Sequence, residues 1–77
     1  MTTYPPHNDW RIRINGNEHG VPHVHVEFRD GSRVSVAIDT RTVLAGGVTP
    51  AKRLASALEN IEANAETYLQ EYRRLNP

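Results

Sequence analysis

From Trp10 onward the chain alternates. Trp10, Ile12 and Ile14 fall on one side and Arg11 and Arg13 on the other, which predicts a half-buried strand closed by the Asn15-Gly16 turn signal. The same period of two returns from His23 to Arg29, with Val24, Val26 and Phe28 set against His23, His25 and Glu27. It returns again from Arg33 to Asp39, where Val34, Val36 and Ile38 oppose Arg33, Ser35, Ala37 and Asp39. Between these last two strands, a two-residue loop at Asp30-Gly31 would pair Phe28 with Arg33 and mix the faces. A three-residue loop, Arg29 to Gly31, instead puts Gly31 at the left-handed position of a bulged hairpin. It pairs Glu27 with Arg33, Val26 with Val34, His25 with Ser35 and Val24 with Val36.

After Asp39 the pattern changes. Val43-Leu44 reads as the stub of a fourth strand, and Gly46-Gly47 turns the chain. Thr49-Pro50 then predicts a helix start, with Thr49 at the N-cap and Pro50 at the first helical position. Leu54, Leu58, Ile61, Ala65, Tyr68, Tyr72 and Leu75 recur at spacings of four and three, the mark of an amphipathic helix. Residues 50 to 75 as one helix would run roughly 39 Å, whereas a seven-residue strand spans only about 23 Å. The helix is therefore expected to break, with Asn64 as the break point. A continuous helix would instead leave Tyr68, Tyr72 and Leu75 as an exposed stripe inviting a dimer.

The expected architecture is α+β: a three-stranded antiparallel sheet, with the stub as a fourth strand, covered on one face by the C-terminal helix. Residues 1 to 8, with Pro5-Pro6, are expected as an extended or flexible arm, and 9 to 77 as the single domain. The other sheet face stays wet and collects Arg11, Arg13, His23, His25, Glu27, Arg33, Ser35 and Asp39.

Bulk properties narrow the classes. A chain of 77 residues is one small domain, marginally stable alone. Nine basic and nine acidic residues give no global pull toward nucleic acid, so any electrostatic footprint is local. The absence of cysteine excludes disulfides and thiol chemistry. No leader or membrane-spanning run is legible, and a soluble cytoplasmic protein is expected.

Chemistry concentrates in "NEHGVPHVHVEF", residues 17 to 28. His23 and His25 sit at i and i+2 and point the same way, so they are candidates for a metal or for acid–base chemistry together with His19. His23 and Glu27 are about 13 Å apart on an extended strand and cannot share an ion. A third ligand must come from the loop, as Glu18 or His19, or from Asp39 if the register brought it opposite His23. The plainer reading is a solvated strand face: no cofactor, and both histidines replaceable at little cost. Arg11, Arg13 and Arg33 are candidates for phosphate contact, Trp10, Tyr68 and Tyr72 for core. Backbone donors at Gly46-Gly47 are a weaker anion candidate, since such glycines more often only turn the chain.

This segment resembles the small bacterial domain-of-unknown-function family numbered 4160. The residues that carry the resemblance are Asn17, Glu18, His19, Gly20, Pro22, His23, His25 and Val26, with Ile61, Asn64, Tyr68-Leu69 and Tyr72 in the helical region. Val21-Pro22 stands where the family often has Pro-Pro, and Asn64 where it often has histidine. The resemblance implies no assigned activity. Its members are often encoded beside a second small family, numbered 2442, which implies a toxin–antitoxin-like pair. The leading expectation is thus a non-catalytic or weakly catalytic bacterial interaction module, with a small cognate protein encoded nearby. RNA or DNA is a further partner class, and a histidine-dependent ribonuclease toxin or a metal-binding protein is the alternative.

Overall fold

A computed structural model describes all 77 residues. Five strands form one antiparallel meander in chain order: β1 (Thr2–Thr3), β2 (Trp10–Ile14), β3 (His23–Phe28), β4 (Arg33–Ala37) and β5 (Val43–Gly46). A 3-10 turn (Ala51–Leu54) leads into α1 (Ala55–Ala63) and α2 (Ala65–Leu75). The α+β class is as expected; the strand count is higher. The stub at Val43-Leu44 is a full edge strand on β4, and the N-terminal stretch adds a two-residue strand on β2. That stretch is extended and docked: Tyr4 N–H donates to the Ile12 carbonyl, and the Tyr4 ring meets Tyr68 edge-on at 5.0 Å.

The expected hairpin register holds. Glu27, Val26, His25 and Val24 stand opposite Arg33, Val34, Ser35 and Val36, and Gly31 lies at φ 92°. Ile12, Ile14, Val24, Val26, Val34, Val36 and Ile38 are fully buried beneath Leu54, Ala57, Ile61, Tyr68 and Tyr72. Trp10 joins them, and its indole N–H donates to Ser56 Oγ at 2.8 Å. A second tie is the Arg53 guanidinium, which forks onto both oxygens of Asp9 (2.8 and 2.9 Å) and reaches Asp30 at 3.0 Å. One side chain thus pins the 3-10 turn to the start of β2 and to the β3–β4 hairpin.

The helix breaks at Asn64, as its length demands. Asn64 has left helical geometry (φ −117°, ψ 19°), and its side-chain amide donates back to the Asn60 carbonyl at 2.9 Å. It closes α1 rather than capping α2 with its side chain. The start differs from expectation too. Pro50 is extended (φ −71°, ψ 155°) and is itself the N-cap residue, and Thr49 makes no capping bond. A proline in that conformation lies outside the helix, so the first turn is the tighter 3-10 form. Gly46 is needed for space as well as conformation: at φ 78° it passes so close to β4 that a Cβ would stand 2.1 Å from the Arg33 carbonyl oxygen.

Two substitutions check this packing. Val26→Ala should cost about 1–3 kcal/mol in denaturant unfolding, from lost apolar burial and the cavity left behind. Gly46→Ala should cost more than the roughly 1–2 kcal/mol of a left-handed alanine alone, because the new methyl must also displace β4. An unchanged unfolding midpoint in either variant contradicts the corresponding contact.

Candidate functional site

β3 presents His23, His25 and Glu27 on the face away from Val24 and Val26. At the far end of that face the loop after β2 folds over the strand and delivers Glu18. Its position is set from a distance in sequence. The Asn76 side chain accepts the Glu18 backbone N–H at 2.7 Å and donates to the Asn15 and Tyr72 carbonyls, both at 2.9 Å. Asn15 also donates to Glu18 Oε1 at 3.5 Å. Because the helix breaks at Asn64, α2 packs against β2 and β3, and its C-terminus locks the loop.

The Glu18 carboxylate faces both imidazoles. His25 Nε2 lies 3.0 Å from Oε1 and His23 Nε2 3.6 Å from Oε2. The remaining ring nitrogens are held from behind: His23 Nδ1 meets the Val21 carbonyl at 2.8 Å and His25 Nδ1 meets Ser35 Oγ at 3.2 Å. A carbonyl oxygen can only accept, so His23 carries its proton on Nδ1, and a neutral ring turns a lone pair toward a carboxylate. Two acceptors facing each other are reconciled by a second proton on His23 or by a cation between them. Ser35, in contrast, can donate or accept, so His25 donates from Nε2 to the Glu18 carboxylate while its Nδ1 accepts from the Ser35 hydroxyl. One ligand atom from each of Glu18, His23 and His25 lies within 4.8 Å of the others. Hydrogen bonding to His25 holds the Glu18 carboxyl below its ordinary value, and the nearby Glu18 charge adds to burial in raising the Tyr72 hydroxyl.

The structure sorts the expected site residues. His23 and His25 come together with Glu18 as the loop ligand; His19 is exposed and outside the cluster. Asp39 is exposed at a turn and Ala37 is the residue opposite His23. His23 is not on the solvent side as expected: it is 9% exposed, with its ring 5.6 Å from Tyr72 and 5.1 Å from His25. The period of two placed it on the polar face correctly, but α2 wraps the end of the sheet and covers it. Arg11 and Arg13 both pair with Glu27 (3.0 and 2.9 Å), and Arg33 stands opposite Glu27 without an ion pair of its own. Ser35 was visible as the cross-strand partner of His25. Asn76 and Tyr72 carried no sequence signal for this role, since their contacts depend on the path of α2.

The Domain of unknown function (DUF4160) family model matches residues 9–73. The chain belongs to this family. The match includes Glu18, His23, His25 and Ser35. No curated protein and no solved structure matches the chain. No helix is long and apolar enough to cross a membrane.

Two measurements follow. His23→Ala should cost about 1–2 kcal/mol in unfolding, the range for a buried, hydrogen-bonded polar side chain, rather than a surface position's few tenths. Since the Glu18 carboxyl ionises more readily folded than unfolded, the stability it adds is full above its ordinary value of 4.5 and is lost as pH falls through its lower folded value. Glu18→Gln should therefore flatten the acid limb of stability against pH. Parallel acid limbs in wild type and variant would remove the Glu18–His25 contact.

Proposed function

We propose that this protein is a divalent transition-metal-binding domain that holds its ion on Glu18, His23 and His25. The observation that carries the reading is the pair of Nε2 atoms aimed at one carboxylate while both Nδ1 atoms are held by the Val21 carbonyl and Ser35 Oγ. Metal-bound histidines characteristically have the second nitrogen fixed in this way, which sets the tautomer and the ring orientation. Zinc–ligand distances of about 2.0–2.2 Å place tetrahedral ligand atoms about 3.4 Å apart; His25 Nε2 stands 3.0 Å from Glu18 Oε1, His23 Nε2 3.6 Å from Oε2, and one ligand atom of each residue lies within 4.8 Å of the others. Two histidines and one carboxylate leave a position open for water or an oxygen ligand, as in exchangeable rather than closed structural sites. The donor set suits zinc, iron(II), cobalt(II) or nickel(II).

A second reading is favoured by one observation. Glu18, His25 and Ser35 lie in the acid–imidazole–hydroxyl order of a hydrolytic triad. It gives His23 no role, whereas the metal reading uses His23 as a ligand. An interaction module of a toxin–antitoxin-like pair stays a third proposal, supported by the family resemblance.

Zinc titration of tag-free protein during thermal unfolding tests the metal. Saturation near a hundredfold excess over Kd should stabilise the fold by about 2.7 kcal/mol. Glu18→Gln and His25→Ala should abolish the rise, and Ser35→Ala should weaken affinity about 10- to 100-fold. No saturable rise in the wild type overturns the proposal. A full rise in His25→Ala assigns the zinc elsewhere and overturns it too.

A further inference from the structure

The other end of the polar face holds a shallow cleft of about 690 Å³ between the β3–β4 hairpin and the Pro6–Asn8 segment. Four guanidinium groups line it: Arg11, Arg13, Arg29 and Arg33. The single carboxylate among the lining residues is Glu27, already divided between Arg11 and Arg13. Arg29 and Arg33 have no ion pair, and Arg29 reaches only the Asn8 carbonyl at 3.4 Å. Arg13 Nε is buried and has no hydrogen-bond partner. A charge excess of three on one wall, in a chain of zero net charge, is local concentration rather than bulk basicity. The lining also carries an aromatic pair, His7 and Trp10. The exposed His7 ring stacks on the buried Trp10 ring at 4.1 Å and 21°, so one His7 face is supported and the other is free.

We infer that this cleft binds a nucleoside phosphate, either free or as a unit of a single strand. The arginines supply planar donors for phosphate oxygens, and the supported His7 ring supplies a face on which a base stacks. The volume falls in the range of small-ligand sites, about 300–1,000 Å³. An acidic protein segment would satisfy the arginines but has no use for the His7 face, so the nucleoside is preferred. The inference does not depend on a metal at Glu18, His23 and His25.

Fluorescence anisotropy with a labelled short oligouridylate and full-length protein tests it. About three phosphate contacts on a single strand predict a salt slope near −2, and thus a fifteen- to twentyfold loss of affinity between about 50 and 200 mM salt. Arg29→Ala and Arg33→Ala, both at exposed positions, should each weaken binding and reduce the slope by about 0.7. AMP should compete better than inorganic pyrophosphate, and His7→Ala should remove that advantage while leaving pyrophosphate unchanged. A large advantage of the oligouridylate over AMP assigns a strand, and parity assigns a free nucleotide. Glu18→Gln should bind the oligouridylate as the wild type does, which separates this site from the metal reading. The inference is overturned by the absence of saturation at millimolar protein or by indifference to both arginine substitutions. Equal competition by pyrophosphate and AMP overturns it as well. Displacement by polyglutamate as effective as by the oligonucleotide also overturns it, in favour of an acidic polypeptide.

Discussion

The polar face depends on the register between β3 and its two neighbours. Side chains alternate faces with a period of two, so a slip of one residue would carry His25 and Glu27 into the core and Val24 and Val26 into water. The three-residue hairpin loop, with Gly31 in the left-handed region, sets that register on the β4 side. On the β2 side it is set by Trp10, Ile12 and Ile14, which must share a face with Phe28, Val26 and Val24. Two cross-strand rows result. Arg11, Glu27 and Arg33 form one, and Arg13, His25 and Ser35 the next. Neither row is a local sequence motif; each joins three strands at positions chosen by burial on the opposite face.

The helix break connects this sheet to the site. A single rod would have overshot the strands and left its last turns without a surface to cover. With the break at Asn64, α2 packs against β2 and β3, Tyr68 and Tyr72 enter the core, and Asn76 arrives beside the loop that carries Glu18. Burial of two tyrosines is the driving interaction, since large aromatic side chains dominate the energetics of a small core. The orientation of Glu18 is a consequence. A carboxylate on a glycine-flanked loop would otherwise spend much of its time in water, and its capacity to meet two imidazoles at once depends on the far end of the chain.

This division explains what was legible in the sequence. Alternation revealed the three central strands, and volume and turn chemistry fixed the hairpin register, because both are set within a few residues. The break at Asn64 followed from comparing two lengths. Other features depended on contacts across many positions. Thr2–Thr3 is too short to show a period and becomes a strand because the edge of β2 is open to it. Val43 and Leu44 remain 45% and 46% exposed even as part of β5, so their apolar character gave little sign of the strand's extent. Pro50 gave the usual signature of a first helical residue but took an extended conformation one step outside. His23 was assigned to the right face and the wrong environment, because the covering group, Tyr72, lies 49 positions away by sequence number (72 − 23).

Zero net charge conceals a local cluster. Arg11, Arg13, Arg29 and Arg33 line one cleft with Glu27 as its single carboxylate, while the neighbouring Asp9 and Asp30 are taken up by Arg53. An even scatter of the same residues would cancel within a Debye length, about 8 Å at physiological ionic strength. Four guanidinium groups around one carboxylate escape that cancellation, so the cleft keeps a local positive field although the molecule carries no net charge. Within that field Glu18 is the exception, a carboxylate held among imidazoles rather than arginines. The Asn15 amide donates to the carboxylate and the Asn76 side chain accepts the Glu18 backbone N–H, and neither neutral amide cancels the charge. Its negative charge therefore stays available to whatever cation the two imidazoles face.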